Sequence, residues 1–430
     1  MRDRLSHPLL PVVLVLCLTV PWLLARASGY PVGLYTQVVL AGVSILGAAF
    51  LLAWAAETAE KDVSRSFAIA VLAVLAVAPE YAIDALYAWE AGVAPGSAAS
   101  AEAADLAVAN MTGANRILIG IGWSAIAIFT VYRALKSTKA KTRDPNVEQV
   151  DGFLADRVRL DQSLSLEIVF LFAATLYAFF IPLTGSIAIH DMVILVGLYA
   201  LYIVFAIRAP SEEEEHIGVP AYLQSFPKSK RIATVLSLFA FSGFVIFVAV
   251  EPFAHGLEEI GLRLGIPPFL MIQWVAPLAS ETPEFVIVTL LVMKARSSAS
   301  FNALISSKLN QWTLLIGTLV VVYSVSLGYY GALPMGQRQM GEIWLTAAQS
   351  YFALSLLVDL RISVREALAL LILFLVQLYP MFHEYEWLLV FTGIYMVLGT
   401  ALLIQRRAHL LALVGFVRER INGTETVTHT

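Results

Sequence analysis

The segments Leu75–Glu80 (LAVAPE) and Leu278–Glu284 (LASETPE) each place a Pro-Glu pair inside a long apolar stretch. An ionisable residue in the middle of such a stretch is costly in lipid, and in a membrane protein it therefore indicates a functional site. A proline at this depth removes a backbone N–H and disturbs the helix that carries it. These two segments decide how the surrounding sequence is interpreted.

The composition around these segments is that of a membrane protein. Of the 430 residues, 59% are hydrophobic and 14% are charged, whereas a soluble domain carries about 25% charged residues. The high hydrophobicity and the net charge of -4 also exclude a disordered chain. The sequence contains no basic region, so it does not predict a nucleic-acid partner. The single cysteine, Cys17, excludes an internal disulfide and a cysteine-based metal site.

The apolar runs predict about twelve membrane-spanning helices, since each crossing needs about 20 mostly apolar residues. We number them spans 1 to 12, and their predicted ranges are 8–25, 32–56, 67–89, 104–132, 164–182, 189–207, 232–250, 268–293, 301–328, 342–359, 366–380 and 387–405. The predicted fold is therefore an all-α polytopic protein embedded in a lipid bilayer. The first run also resembles a cleavable signal peptide over residues 1–27, with Arg2 and Arg4 ahead of it, and that alternative stays open.

Lysine and arginine residues test this topology, because positive charge favours cytoplasmic loops. If the N-terminus is cytoplasmic, 23 of the 28 bases lie in cytoplasmic segments and 3 lie in external loops. The other 2, Arg116 and Lys308, lie inside spans 4 and 9. This alternation predicts a multi-pass protein of the cell membrane with both termini in the cytoplasm.

The two Pro-Glu segments belong to a repeated pair of helices. In each half, the next span carries an asparagine followed six residues later by a base, Asn110 with Arg116 and Asn302 with Lys308. The loop between spans 3 and 4 has no base and the loop between spans 8 and 9 has two, so the pairs are predicted to insert in opposite orientations. Inverted repeats with interrupted helices are typical of secondary transporters, which bind their substrates near the midplane.

The repeat divides the chain into two inverted five-helix units with one extra helix at each end. The predicted parts are an extra helix at 1–30, a first repeat at 31–210 with its motif hairpin at about 67–132, a cytoplasmic linker at 211–231, a second repeat at 232–382 with its motif hairpin at about 268–328, and an extra helix with a cytoplasmic tail at 383–430.

Four carboxylates lie deep within the apolar spans of the repeated hairpins, away from the outer ends of these spans: Glu80, Asp84, Glu281 and Glu284. Together they would cost on the order of 10 kcal/mol in the bilayer unless they are paired, protonated or bound to metal. Pairing with the two buried bases stays open for any single carboxylate, but four acids outnumber two bases. Hard cations such as Na⁺ and Ca²⁺ prefer oxygen ligands, and the carbonyls freed by the two prolines would add to the carboxylates.

These motifs resemble those of the sodium/calcium exchanger membrane region, a family of the calcium/cation antiporter superfamily. Each repeat of that family has a Pro-Glu helix after small hydroxylated residues, followed by a helix with a pattern like N-x-x-G-S-N-x-x-N/D. Ala78–Glu80 and Ser280–Glu284 resemble the first element, and Asn110–Asn115 and Asn302–Asn310 resemble the second. Spans 1 and 12 would be additions to the ten helices of the family.

The resemblance implies a set of cation ligands. Glu80 and Glu284 would be the central ligands, one from each repeat, and Ser280, Ser306 and Asn310 would be further ligands. This pattern implies a transporter whose site is shared between the two halves of the chain.

Departures from the family pattern concern the coupling ion. Span 4 has Ala114 and Leu118 where the family has a serine and a final Asn or Asp, and Glu281 stands where the family has a small hydroxylated residue. The extra carboxylate of Glu281 is a candidate accessory ligand or proton carrier. The predicted site is completed by Asp84 and Asn110 as further ligands and by Arg116 and Lys308 as charge-compensating residues.

The sequence therefore predicts a secondary active antiporter of inorganic cations, with Na⁺ or Ca²⁺ as the best candidates, without a cofactor and without enzymatic activity. The cation and its counter-ion would compete for Glu80 and Glu284 while alternating access exposes the site to either side. Proton-coupled Na⁺/H⁺ or Ca²⁺/H⁺ exchange is the nearest alternative. A cation channel and a membrane-embedded enzyme are more distant ones, and no oligomeric state follows from the sequence.

Overall fold

The computed structural model describes residues 9–29, 31–63, 77–136, 144–208, 218–379 and 384–422, with side chains in the last segment described as far as residue 417. The first part of predicted span 3 and part of the predicted linker 211–231 lie outside these residues. The first eight and the last eight residues of the chain lie outside them as well.

The described chain is almost entirely helical. The helices of spans 1 to 6 are Leu9–Ser28, Leu34–Ala59, Ala78–Val93, Ala98–Ile117 continuing into Ser124–Lys136, Ser165–Ala178 and Ile189–Arg208. After the short helix Val219–Gln224, the helices of spans 7 to 12 and of the tail are Lys228–Leu264, Pro268–Ser280 with Thr282–Met293, Ser297–Asn310 continuing into Ile316–Leu327, Gln337–Leu357, Val364–Gln377, Tyr385–Gln405 and Arg407–Asn422.

Within the described residues, eight helices are long and apolar enough to cross a membrane, and the bent pair that forms span 8 is a ninth candidate. Spans 3 and 11 are not among these helices, because their described parts have only 16 and 14 residues. Span 10 falls short because it carries polar side chains, of which Gln339, Glu342 and Gln349 are buried in the protein. The prediction of an all-α polytopic membrane protein is confirmed.

Span 7 is longer than the predicted range 232–250. Its helix runs from Lys228 to Leu264, which is 37 residues, or about 55 Å at 1.5 Å per residue. Pro252 leaves the carbonyl of Val248 without its helical N–H partner. That carbonyl accepts a hydrogen bond from the indole Nε1 of Trp22 at 3.2 Å. The proline therefore joins span 7 to span 1 and does not end the helix.

In the two halves of the chain, helices begin at corresponding positions. The helix of span 3 begins at Ala78 and the second helix of span 8 begins at Thr282, so each Pro-Glu pair lies in the first turn of its helix. Spans 4 and 9 contain wide π-helical turns at Leu118–Trp123 and Gln311–Leu315. The 192-residue offset between the repeated asparagines places these turns opposite each other in an alignment of the two repeats.

Two small antiparallel sheets connect loops that the predicted topology assigns to the same side. Strands β1 (Val147–Glu148), β2 (Arg157–Arg159) and β5 (Arg361–Ser363) come from the loops after spans 4 and 10. Strands β3 (Ser186–Ile187) and β4 (Leu333–Pro334) come from the loops after spans 5 and 9. In each sheet an even number of spans separates the paired loops, as it must if both loops lie on one side of the membrane.

Candidate cation site

Helices that begin at Ala78 in span 3 and at Thr282 in span 8 place two glutamates in their first turns. Glu80 and Glu284 are the third residues of their helices, and each follows a proline. A proline is well tolerated there because the first N–H groups of a helix have no helical partner. The positive end of the helix dipole also stabilises a carboxylate in the first turn. The local sequence thus explains why both glutamates lie in the first turn of a helix.

Three glutamates meet where the beginnings of these two helices approach each other. Glu80, Glu281 and Glu284 each offer one carboxylate oxygen, and these oxygens lie within 4.8 Å of one another. Glu80 and Glu281 are 1% and 0% exposed. Oxygen ligands at this spacing suit a hard cation such as Ca²⁺ or Na⁺. The structure therefore brings together Glu80 of the first repeat and Glu284 of the second, with Glu281 as a third carboxylate.

Polar groups around the three glutamates leave lone pairs free for an ion. Neither oxygen of Glu80 accepts a hydrogen bond of normal geometry from a described residue, although Ser280 lies beside it. The Ser280 hydroxyl contacts two carbonyls of its own helix at 3.3 and 3.4 Å. One oxygen of Glu281 accepts a hydrogen bond from Nε2 of Gln311 at 2.7 Å. The side chains thus position the carboxylates without occupying all of their oxygens.

Other predicted ligands lie in separate hydrogen-bonded pairs. Asp84 accepts a hydrogen bond from Nδ2 of Asn110 at 2.9 Å, and both are buried. Asp84 does not belong to the group of three carboxylates. Ser306 lies 3.5 Å from Oδ1 of Asn302.

Asn310 is connected to the residue that follows Glu80. Its Oδ1 accepts a hydrogen bond from the Tyr81 hydroxyl at 2.7 Å. The contact joins span 9 of the second repeat to span 3 of the first. Asn310 therefore helps to hold the two repeats together through Tyr81, the neighbour of Glu80 in the chain.

The two buried bases have different partners. Arg116 forms a salt bridge with Glu342 of span 10, and both side chains are fully buried. The Nζ of Lys308 donates to Oδ1 of Asn115 at 3.0 Å, and it interacts electrostatically with Glu281. Lys308 thus interacts with one of the three glutamates, Glu281, whereas Arg116 has an acidic partner elsewhere.

Three of these residues were absent from the predicted site. Gln311 follows Asn310 directly and is a polar residue inside an apolar run, which is a usable signal. Glu342 lies at the first residue of the predicted span 10, where a carboxylate is normally interfacial. The sequence does not identify Tyr81 as a site residue, because a tyrosine next to a ligand is as often a packing residue as a binding residue.

Comparison with known proteins finds similarity to cation exchangers. A family model described as sodium/calcium exchanger protein matches residues 32–208 and 234–382. The crystal structure of the H⁺/Ca²⁺ exchanger CAX is 45% identical, covers 96% of this chain and 98% of that chain, and has a TM-score of 0.86. The structure of native YfkE is 12% identical, covers 87% and 100%, and has a TM-score of 0.55, which shows the fold alone. No curated protein sequence matches this chain.

Proposed function

This chain belongs to the sodium/calcium exchanger family, and we propose that it exchanges Ca²⁺ for protons through Glu80, Glu281 and Glu284. The family and the apolar helices make it a multi-pass cation antiporter. The identity of the coupled ions and the role of the three glutamates are the proposed part.

One observation carries the proposal: two buried carboxylates, Glu80 and Glu281, and the half-buried Glu284 have oxygens within 4.8 Å of one another. Three like charges in such a small buried space repel one another unless a cation or protons neutralise them. A divalent cation and protons are therefore alternative occupants of one site. Their mutual exclusion is the property that an exchanger needs.

Protons are favoured over Na⁺ as the counter-ion by two further points. Glu281 provides a third carboxylate where the family pattern has a small hydroxylated residue. A relative with 45% sequence identity is described as an H⁺/Ca²⁺ exchanger. Na⁺, which the sequence analysis places ahead of protons, then becomes the alternative that the experiment must exclude.

The geometry suggests how exchange is enforced. The site takes ligands from span 3 of one repeat and span 8 of the other. An empty site would expose negative charge to the apolar interior while the repeats rearrange, which is costly. A site loaded with Ca²⁺ or with protons can change sides, so net movement of one requires return of the other.

The test is radioactive Ca²⁺ uptake by purified protein in liposomes. We expect a pH gradient, acidic inside, to drive uptake without Na⁺, and a Na⁺ gradient at equal pH to drive none. Uptake that follows only the Na⁺ gradient would assign the alternative coupling. Passive Ca²⁺ currents without any counter-ion would identify a channel.

Variants test the residues. Glu80→Gln and Glu284→Gln should each weaken Ca²⁺ binding by about 30-fold or more, since removing one partner of a buried charged contact costs about 2–5 kcal/mol. Glu259→Gln is the matched control, because Glu259 is 47% exposed and pairs with Arg263 on the surface. Full exchange by both site variants would rule out the assignment.

A further inference from the structure

The two repeats carry buried bases at matched positions, and only one base has an acid outside the site. Arg116 of span 4 forms its salt bridge with Glu342, and its guanidinium lies 4.6 Å from the centre of the Trp274 ring. Glu342 belongs to span 10, which contributes no glutamate to the proposed site. The charge of Arg116 is thus balanced away from the transported ions.

The positive charge of Lys308 in span 9 is balanced by different groups. Its Nζ lies 3.0 Å from Oδ1 and 3.5 Å from the backbone oxygen of Asn115, and 4.7 Å from the centre of the Trp312 ring. Among the described residues, Glu281 is the acid that interacts with it electrostatically. Asn115 belongs to the other repeat, so the ammonium group lies between the two halves and beside a site glutamate, fully buried.

We propose that Lys308 is a tethered cation that takes the place of one monovalent ion beside Glu281 and so excludes Na⁺ from the transport cycle. This inference rests on the proposed function, because it assigns a role within the same site. The contacts of the Lys308 ammonium provide an amide oxygen and a backbone carbonyl of Asn115, and the Glu281 carboxylate interacts with it electrostatically. These are the oxygen ligands that hard cations such as Na⁺ also take.

The charge balance gives the tethered cation a measurable consequence. Three carboxylates and one ammonium carry two formal negative charges, which one divalent cation balances. Without Lys308 the same carboxylates carry three, which three monovalent cations balance and one Ca²⁺ does not. Lys308 therefore sets both the choice of the counter-ion and the charge moved in each cycle.

The first experiment measures whether Na⁺ displaces radioactive Ca²⁺ from purified protein in detergent, without transport. We expect Na⁺ to have no effect on the wild type and to compete in Lys308→Gln at a concentration at least about tenfold lower than any wild-type effect, which corresponds to about 1.4 kcal/mol. Lys308→Arg keeps the charge and should remain insensitive to Na⁺. Arg263→Gln, which removes a base that is 55% exposed, is the control for charge loss alone.

The second experiment measures Ca²⁺ uptake into liposomes at several imposed membrane potentials. Wild-type exchange should not depend on potential, and exchange by Lys308→Gln should. The double variant Lys308→Gln/Glu281→Gln restores two negative charges and should lose both the dependence on potential and the competition by Na⁺. A lysine that only packs the helices would change stability without changing either readout.

Several outcomes overturn the inference. A folded Lys308→Gln protein that ignores both Na⁺ and potential contradicts it, while pH-driven uptake by the same protein would leave the proposed function standing. Competition by Na⁺ in Lys308→Arg, or equal competition in the wild type, contradicts it as well. If Lys308→Gln does not fold, the Arg variant and the double variant still decide the question. A wild type that binds no Ca²⁺ removes the proposed function together with the inference.

Discussion

Glu281 differs from the other two site glutamates in having a hydrogen-bond donor and a base nearby. Gln311 donates to it at 2.7 Å, and Lys308 interacts with it electrostatically. Burial without partners is costly for a charged group, and each partner lowers that cost. Gln311 and Lys308 therefore offset part of the cost of burying the Glu281 carboxylate.

The carboxylates of the site could be predicted from the sequence, whereas most of their partners could not. Glu80 and Glu284 are conspicuous because charge is rare in apolar spans. Amides such as Gln273 and Gln311 are less costly in lipid, so their presence in a span is a weaker signal. Which of the two buried bases approaches the glutamates depends on helix packing, and spacing along the chain does not contain that information.

Gly113 provides a prediction at this scale. A Cβ at this position would lie 1.8 Å from the backbone oxygen of Gln273, an oxygen that Pro277 leaves without its helical N–H partner. A backbone atom cannot move aside as a flexible side chain can. We expect Gly113→Ala to lower stability by about 1–3 kcal/mol or more, measured as a lower midpoint of thermal unfolding in detergent.

The control for this prediction is Gly197→Ala in span 6. Nothing lies within 4 Å of a Cβ built at Gly197, and alanine is favoured over glycine in a helix by about 1 kcal/mol. This variant should unfold at the same temperature as the wild type or slightly higher. Equal unfolding temperatures for the Gly113 and Gly197 variants would show that spans 4 and 8 are not in close contact.

Interrupted helices are the elements that form the site. The two helices of span 8 are bent by 47° at the break before Thr282, and a π-helical turn at Met271–Val275 precedes the break. The prolines predict a disturbance of the helix in both repeats. The π-helical turns in spans 4, 8 and 9 were not predicted, because they arise from packing between spans and have no sequence signature of their own.

The salt bridge between spans 4 and 10 provides a prediction at the scale of elements. Arg116→Met should destabilise the protein by about 3–5 kcal/mol, because it leaves the Glu342 carboxylate buried without its guanidinium. The double variant Arg116→Met/Glu342→Leu removes both charges and should recover most of the lost stability. Thermal unfolding of the single and double variants measures both effects. A double variant as unstable as the sum of its parts would contradict a coupled pair.

A second ion pair joins the end of span 2 to the start of span 7 outside the membrane. Arg231 donates to both carboxylate oxygens of Asp62, at 2.5 and 2.6 Å. This contact with the guanidinium holds the pKa of Asp62 below its ordinary value of 3.8. A carboxyl group with a lowered pKa stabilises the fold above its ordinary value, and this stabilisation is lost as the pH falls through the lowered value.

The consequence is a pH-dependent difference between the wild type and Asp62→Asn. At neutral pH the variant should unfold at a lower temperature. The difference should persist down to about pH 4 and shrink at lower pH, where the wild-type carboxyl group is protonated as well. Unfolding midpoints of both proteins between pH 3 and 7 measure this. A difference that grows as the pH falls would have the wrong sign for this ion pair.

For the whole molecule, the count of twelve spans and the sides of the loops stay predictions, whereas the all-helical, multi-pass architecture is confirmed and could be predicted because it depends on apolar length. The extent of span 7 could not, because its last part, Glu251–Leu264, is polar enough to look like a loop. There His255 lies between Glu90 and Glu258, at 2.9 and 3.1 Å. The contact with Glu90 joins spans 7 and 3, and together with the contact to Glu258 inside the helix it stabilises a helical segment that its sequence alone does not indicate.

The sidedness of the loops provides the last prediction. Six spans separate the loop at Pro95 from the loop at Tyr329, so both should face the same side, and the loop at Asp151 should face the other. The structure supports the first pairing, since Ser326 donates to the backbone oxygen of Trp89 at 2.6 Å near those two loops.

With Cys17 replaced by alanine, cysteines placed one at a time at Pro95 and Tyr329 should react with an impermeant maleimide added outside intact cells. A cysteine at Asp151 should react only after the cells are opened, because its loop carries the basic residues that favour the cytoplasm. Reaction of the Pro95 and Tyr329 cysteines from opposite sides would mean that an odd number of spans separates them, and the inverted relation between the two repeats would then be lost.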